Sequence, residues 1–334
     1  MQWITNYLSG RKQRVSVGRD LSAAADLHAG VPQGAILSPL LFILYINDVT
    51  SSTAEDINLF ADDTLSIIAK DPSSLAFRVQ HAVDNISEWF DRWLLTANSL
   101  KTKLVVFRSR HMAAVNLSPT FPSGDTICQV SSHRHLGLIF HETLSWHDHV
   151  THLCLKTSQQ LGFLTRFRRR LPSLVIRQLY ITCIRPAIEY ASLAWYGLRK
   201  EDHSTLERVQ RPAARLITNL SPRSDTPHAI LLARAGLEPL VSRREKAQAC
   251  FMYRLNINKS LPNNLQRFLD SLSLPKLSKS CSLRNSLAVR LPRARTSVLS
   301  SSPLFICSSS WNSLPSSVKQ SKSLSSFKAA LALC

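Results

Sequence analysis

The apolar rhythm of this sequence changes once, near Thr151, and that change sets what the chain can fold into. Upstream, short β-type runs alternate with helical ones; downstream, only helical spacing is found. In the first part, Ile36 to Ile46 reads as a buried helix opened by Ser38-Pro39, since Ser is a good N-cap and Pro suits the first turn. Leu59-Phe60-Ala61 and Leu65-Ser66-Ile67-Ile68 read as short strands of a hairpin around Asp62-Asp63-Thr64. Leu75, Val79, Val83, Ile86, Trp89 and Phe90 recur at intervals of three and four, the spacing of an amphipathic helix. Lys103 to Phe107 reads as a strand. Such alternation belongs to an α/β or α+β sheet domain, and we take the class as α+β.

From Thr151 on, Val150, Leu153, Cys154, Thr157, Leu161 and Leu164 share one helical face, and Arg166 to Arg170 would end that helix with cations favourable to its dipole. A second helix begins near Ser173 and is expected to bend or break at Pro186. A third opens with the capping-box pattern Ser204-Thr205-Leu206-Glu207 and is interrupted at Pro212. Two more, one bracketed by Thr226-Pro227 and Gly236 and one over Val241 to Leu255, complete a bundle reaching about residue 258. Beyond it, 20 serines among residues 271–334 predict a largely flexible tail, with Phe327 to Leu331 as a short terminal helix. The divisions are therefore 1–112, 113–150, 151–258 and 259–334.

Charge follows the same division. The chain carries +19, yet residues 1–100 sum to −4 and residues 101–200 and 201–300 to +10 each. Carboxylates that hold cations in one place, with Lys and Arg following phosphates in another, give this pattern; so do solvated charges clustered by chance. Neutral small-molecule metabolism fits the excess of cations poorly. No apolar run approaches the roughly 20 residues of a membrane helix. Seven cysteines without a CxxC pair, and an amino terminus without a signal-peptide core, point to an intracellular location, nuclear or cytoplasmic.

Three segments carry chemistry. Phe60-Ala61-Asp62-Asp63 sets two adjacent carboxylates at a bend, and hard oxygen donors of this kind suit Mg²⁺; an ordinary polar turn has the same composition. Gly30-Val31-Pro32-Gln33-Gly34 leads into the first helix. Its glycines let a flat base or sugar approach and Gln33 can hydrogen-bond, although a packing turn would use the same residues. Lys101 lies where a helix ends and a strand begins, placed either for a leaving pyrophosphate or simply in solvent. Six histidines between His133 and His152 lack a paired zinc motif and read as helix-start and surface residues. The run Arg166, Arg168, Arg169 and Arg170 reads as a nucleic-acid contact, a nuclear-import patch or a solvated helix end.

In this order the segments resemble the carboxy-terminal part of the reverse transcriptases of non-LTR (LINE-type) retrotransposons. The resemblance begins at Trp3-Ile4-Thr5-Asn6-Tyr7-Leu8-Ser9-Gly10-Arg11. It passes through Pro32-Gln33-Gly34, Phe60-Ala61-Asp62-Asp63, the Lys101 segment and His135-Leu136-Gly137-Leu138-Ile139 with Leu144-Ser145-Trp146. It extends to Trp311-Asn312-Ser313-Leu314-Pro315 and Phe327-Lys328. It implies a partial polymerase palm followed by an all-helical thumb and a Ser-rich tail. Asp62 and Asp63 would be metal ligands, catalytic with Lys101. Pro32, Gln33, Gly34 and Phe60 would bind template and nucleotide, and residues 135–146 would form a primer grip. The arginines would hold an RNA template with a DNA primer, deoxynucleotides would be substrates, and no membrane would be involved.

The family carries a further metal-binding Asp motif ahead of its Trp-x-x-x-Tyr-Leu-Ser stretch. Here Met1 stands two residues before Trp3, so that motif and the fingers are expected to be missing. The chain alone is then expected to incorporate no nucleotide. The alternatives are a non-enzymatic nucleic-acid-binding protein that uses the basic helices, or a remnant without function.

Overall fold

The computed structural model describes residues 2–55, 57–60, 72–221, 225–257, 289, 291, 293–294 and 296–333. It mixes helix with short strands, as the α+β reading requires, and divides into two units. One comprises residues 1–106 and 113–130, the other residues 107–112 and 131–334.

The first unit opens with helix α1 (Gln2–Leu8) and a ribbon of four two-residue strands. In it β1 (Lys12–Gln13) pairs antiparallel with β4 (Ala25–Asp26), and β2 (Ser16–Val17) with β3 (Asp20–Leu21). Helix α2 (Ser38–Ile46) forms as expected, but the expectation of a buried helix is corrected. Only Ser38 and Ile46 are buried, while Leu40, Ile43 and Leu44 are exposed. Described residues pack on one side of it only, where Phe42 and Ile46 meet Val49, Trp89, Phe90 and Leu95. Helix α3 (Pro72–Arg92) buries Val79, Val83 and Trp89 of the predicted face, with Ala82 added between them. The strand expected over 103–107 shrinks to β5 (Lys103–Leu104), paired in parallel with β6 (Cys128–Gln129). The predicted hairpin strands continue past Leu59 and Phe60 into residues outside those described.

The second unit starts from an antiparallel hairpin, β7 (Ser132–His135) with β8 (Leu138–His141). Leu136 and Gly137 turn it with φ of 47° and 84°, the two left-handed residues of a type I′ turn. A Cβ on Gly137 would come within 3.2 Å of the Tyr190 ring, whose hydroxyl donates to the Leu136 carbonyl. Helix α4 (His147–Thr165) buries Val150, Leu153, Thr157, Leu161 and Leu164, all on the face read from sequence; Cys154 is half-buried.

Helix α5 (Ser173–Leu179) passes into a π-helical stretch at Tyr180–Ile184 and resumes as α6 (Arg185–Glu189). In place of the expected bend or break at Pro186, the helical run changes to π-helical hydrogen bonding just ahead of that proline, which stands in the first turn of α6. Two expectations for α7 (Lys200–Thr218) are corrected. It starts four residues before Ser204, whose hydroxyl donates to the Glu201 carbonyl instead of capping, and it runs unbroken through Pro212. An interior proline costs about 3 kcal/mol or more. Burial of Leu206, Val209, Ala213, Ala214, Leu216 and Ile217 against α4, α5 and α8 (His228–Ala235) outweighs it.

Over residues 296–333 the expectation of a flexible serine-rich tail is corrected too; residues 259–288 lie outside those described. Helices cover Pro303–Ser313, Ser316–Lys319 and Leu324–Ala332. They pack Cys307, Trp311, Val318 and Phe327 on Ala249, Met252, Tyr253 and Leu255 of α9 (Leu240–Ile257). Serine serves them as a cap: Ser302 accepts from the Phe305 amide, and Ser323 forms a capping box with Ser326. Asn312 clamps Val289, accepting from its N–H at 2.9 Å and donating to its C=O at 2.8 Å. Asn312→Ala strands both buried backbone groups and is expected to cost about 1–3 kcal/mol. Urea unfolding checks this, and Asn312→Asp, which keeps the acceptor only, should fall between.

Candidate functional site

In the first unit, residues 32–35 form a tight turn, with the Ala35 amide donating to the Pro32 carbonyl at 3.4 Å. Gly34 sits at its third position with φ 83°, the left-handed value a type II turn demands there. Ser38, read as an N-cap, instead turns its hydroxyl back to the Pro32 carbonyl, and α2 starts without a side-chain cap. Pro39 does occupy the first turn. Upstream, Arg11 grips the approach to the turn by donating to the Gly30 carbonyl at 2.6 Å and the Ala29 carbonyl at 3.3 Å. Pro32 is half-buried, while Gln33 and Gly34 are exposed. The loop is thus fixed by its carbonyls and presents its Gln-Gly edge to solvent.

Lys101 is exposed, on a turn built by Asn98, whose side-chain and backbone oxygens both accept from the Lys101 amide at 3.1 Å. Phe60 is exposed as well. Asp62 and Asp63 lie outside the described residues. The Pro-Gln-Gly turn and the Lys101 turn are joined through helices: the first enters α2, the second follows α3, and these meet in the cluster around Ile46, Val49 and Trp89. The Tyr45 hydroxyl also donates to the Trp93 carbonyl. Sequence reading passed over Arg11, Asn98 and Tyr45 as positioning residues. Arg11 closes the Trp3–Arg11 stretch, and Asn98 has the composition of an Asx turn; Tyr45 gives no sequence signal.

In the second unit, residues 166–171 form turns after α4. Arg166, Arg169 and Arg170 are exposed. Arg168 is not equivalent to them. Its guanidinium donates to the Asn219 side chain at 2.9 Å and the Leu220 carbonyl at 3.1 Å, and so holds the carboxyl end of α7, where a cation complements the helix dipole. Among the described residues no cluster of three His, Cys, Asp or Glu forms a metal site, and no helix is long and apolar enough to cross a membrane.

Residues 1–152 match the family model for reverse transcriptase (RNA-dependent DNA polymerase). Among curated proteins of Drosophila melanogaster, the chain is 26% identical over 228 residues to the probable RNA-directed DNA polymerase from transposon BS, covering 65% of the chain and 25% of that protein. It is 28% identical over 228 residues to the probable RNA-directed DNA polymerase from transposon X-element, covering 64% and 24%. To the RNA-directed DNA polymerase from mobile element jockey it is 25% identical over 285 residues, covering 81% and 30%. The chain spans about a quarter of the length of the first two relatives. No solved structure matches. The likeness to reverse transcriptases of LINE-type elements, read first from the motifs, is shown by these matches.

Proposed function

We propose, from residues 1–152 being reverse-transcriptase sequence of the non-LTR retrotransposon type, that this chain is the carboxy-terminal palm and thumb of an RNA-directed DNA polymerase. The observation that carries the reading is that one matched stretch contains Pro32-Gln33-Gly34, Asp62-Asp63 and Lys101 in the family's order. The reverse transcriptase family is generally metal-dependent, and two adjacent carboxylates are the hard donors that Mg²⁺ takes. Asp62 and Asp63 would hold it, and bound there it would neutralise charge on the transferring phosphoryl oxygens. Gln33 and Gly34 offer an exposed, carbonyl-anchored edge against which a template base or an incoming nucleotide can lie, and the exposed Phe60 belongs to the same substrate set. Lys101, on its own turn, supplies a cation for the departing pyrophosphate. Arg166, Arg169 and Arg170 hold an RNA–DNA duplex by its phosphates, and Arg168 fixes the turn that carries them.

Duplex binding tests this directly. Each neutralised phosphate contributes roughly 0.9 to the slope of log K against log salt. The triple variant Arg166→Ala, Arg169→Ala, Arg170→Ala is thus expected to flatten the slope by roughly 2 to 3. A wild-type chain that fails to bind duplex at low salt, or a variant with an unchanged slope, defeats the reading. Nucleotide addition is a separate outcome. Mg²⁺-dependent extension that Asp62→Ala abolishes would show the pair to be sufficient.

A further inference from the structure

Arg243 and Arg244 are neighbours on α9 and end in opposite circumstances. Arg243 pairs with Glu189, which also takes Arg185, and reaches Glu238. Arg244 is 2% exposed, and neither its Nε nor its Nη2 meets an acceptor among the described residues. Its guanidinium lies 4.6 Å over the Trp195 ring, a π face that attracts the cation and leaves those two N–H groups unmet. One turn further along α9, Gln248 is 1% exposed, and its Nε2 is likewise without an acceptor among the described residues. Residues four apart share a helix face. From α7, His203 adds a buried Nδ1 in the same condition, a donor in the tautomer that carries its proton there. One segment gathers the three: Trp195 packs under Arg244, and the next residue, Tyr196, meets the His203 ring edge-on at 5.7 Å.

No carboxylate among the described residues answers this charge. Glu207 spends its oxygens on the Gln210 amide at 3.0 Å, His228 at 3.3 Å and the Leu240 N–H at 2.9 Å. Glu189 is taken by Arg243 and Arg185, and Asp202 by His147 at 2.9 Å. Cys154 and Tyr196 are neutral, since burial pushes both pKa values up. Buried donors without acceptors are rare, and a buried cation without a counter-charge is costlier than either. A water molecule could accept from the N–H groups but would leave the charge as it was.

We propose that Arg244, with Gln248 and His203, holds a small monovalent anion, of chloride or formate size, inside the second unit. The Nε–H and Nη2–H bonds run parallel along one edge of a guanidinium, a fork that takes one halide or both oxygens of a carboxylate. The fully buried Trp195 and Gln248 enclose the place and limit the size of what enters, so a nucleotide or a phosphodiester is not the ligand. The anion is a structural one, and the inference does not depend on the polymerase reading.

The test measures urea midpoints of the full chain at constant ionic strength while chloride, or formate, replaces the bulky anion gluconate. An anion bound by the folded state alone stabilises it in proportion to ln(1 + [anion]/Kd). The wild-type midpoint is expected to rise with one or both small anions and to level with concentration as that logarithm does. Arg244→Met keeps an unbranched stem on Trp195 without the charge, and its midpoint should no longer distinguish the small anions from gluconate. Gln248→Leu retains the cation and should weaken the apparent anion affinity about ten-fold or more, the loss of one hydrogen bond to a charge; it also serves if Arg244→Met does not fold. Arg14→Gln, an exposed arginine of the other unit, should respond as wild type does. A wild-type midpoint indifferent to the anion would mean that the chain supplies its own counter-charge. An undiminished response in Arg244→Met, or in Gln248→Leu where the first does not fold, would put the anion elsewhere. Either result overturns the proposal.

Discussion

Replacing Trp195 with alanine should destabilise the second unit by about 3–5 kcal/mol, the usual cost of emptying a large aromatic site in a core. Trp195 is fully buried and its indole N–H donates to the Tyr190 carbonyl at 2.9 Å. Its ring meets the His149 imidazole edge-on at 5.0 Å, and the Arg244 guanidinium lies 4.6 Å over it. Arg244 is itself 2% exposed, and burial pushes its pKa down to about 10. The tryptophan face therefore offsets part of the cost of an enclosed cation, and truncation removes that along with the packing. Urea unfolding followed by circular dichroism measures the loss. Trp195→Phe, which keeps an aromatic face but gives up the N–H, should lose less than half as much. A loss under about 1 kcal/mol for the alanine variant would show that the site collapses without harm.

The second large effect is a dependence of stability on pH in which His149 is the largest contributor. His149 is 1% exposed; Nδ1 accepts from the Ile139 amide at 3.4 Å, and Nε2 is buried with no partner among the described residues. Burial, assisted by His152 and Arg134, pushes its pKa from 6.5 down to about 4. The folded chain thus keeps this imidazole neutral at a pH where the unfolded chain protonates it. The unfolded state binds the extra proton, so stability is full above pH 6.5 and falls as the pH drops toward 4. The total is on the order of 3 kcal/mol at about 1.36 kcal/mol per pH unit. Burial lowers His203 as well, which acts in the same sense. Urea midpoints measured from pH 7 to pH 4.5 should decline in the wild type and decline much less in His149→Gln. Parallel curves would mean that His149 does not carry the effect.

Helix faces were legible because burial along a helix repeats with its own turn, whatever lies opposite. Val150, Leu153, Thr157, Leu161 and Leu164 could be listed from spacing alone, and so could Val79, Val83 and Trp89. Family likeness was legible for a different reason: Pro32-Gln33-Gly34 and Asp62-Asp63 are short, local and ordered. Errors arose where a local rule met a tertiary one. Pro212 ends an isolated helix, but not one packed on α4, α5, α8 and α9. Serine content suggests a flexible chain, yet Ser302 and Ser323 act as caps once Trp311 and Phe327 have a core to enter. The apolar run in α2 implies a partner, and the described residues provide one on only one side of it.

By itself the sequence determined the α+β character, the helical faces, the kinship of residues 1–152 with reverse transcriptases and the separation of acidic from basic segments. Each of these depends on the kind and order of neighbouring residues. Only the tertiary structure decided which cations are spoken for and which are open. Arg168 is taken by the end of α7 and Arg244 is enclosed on Trp195, whereas Arg110 and Arg199 meet across a cleft from distant parts of the chain. A charge acts through what lies within a few ångströms of it in space, and spacing along the chain does not encode that distance.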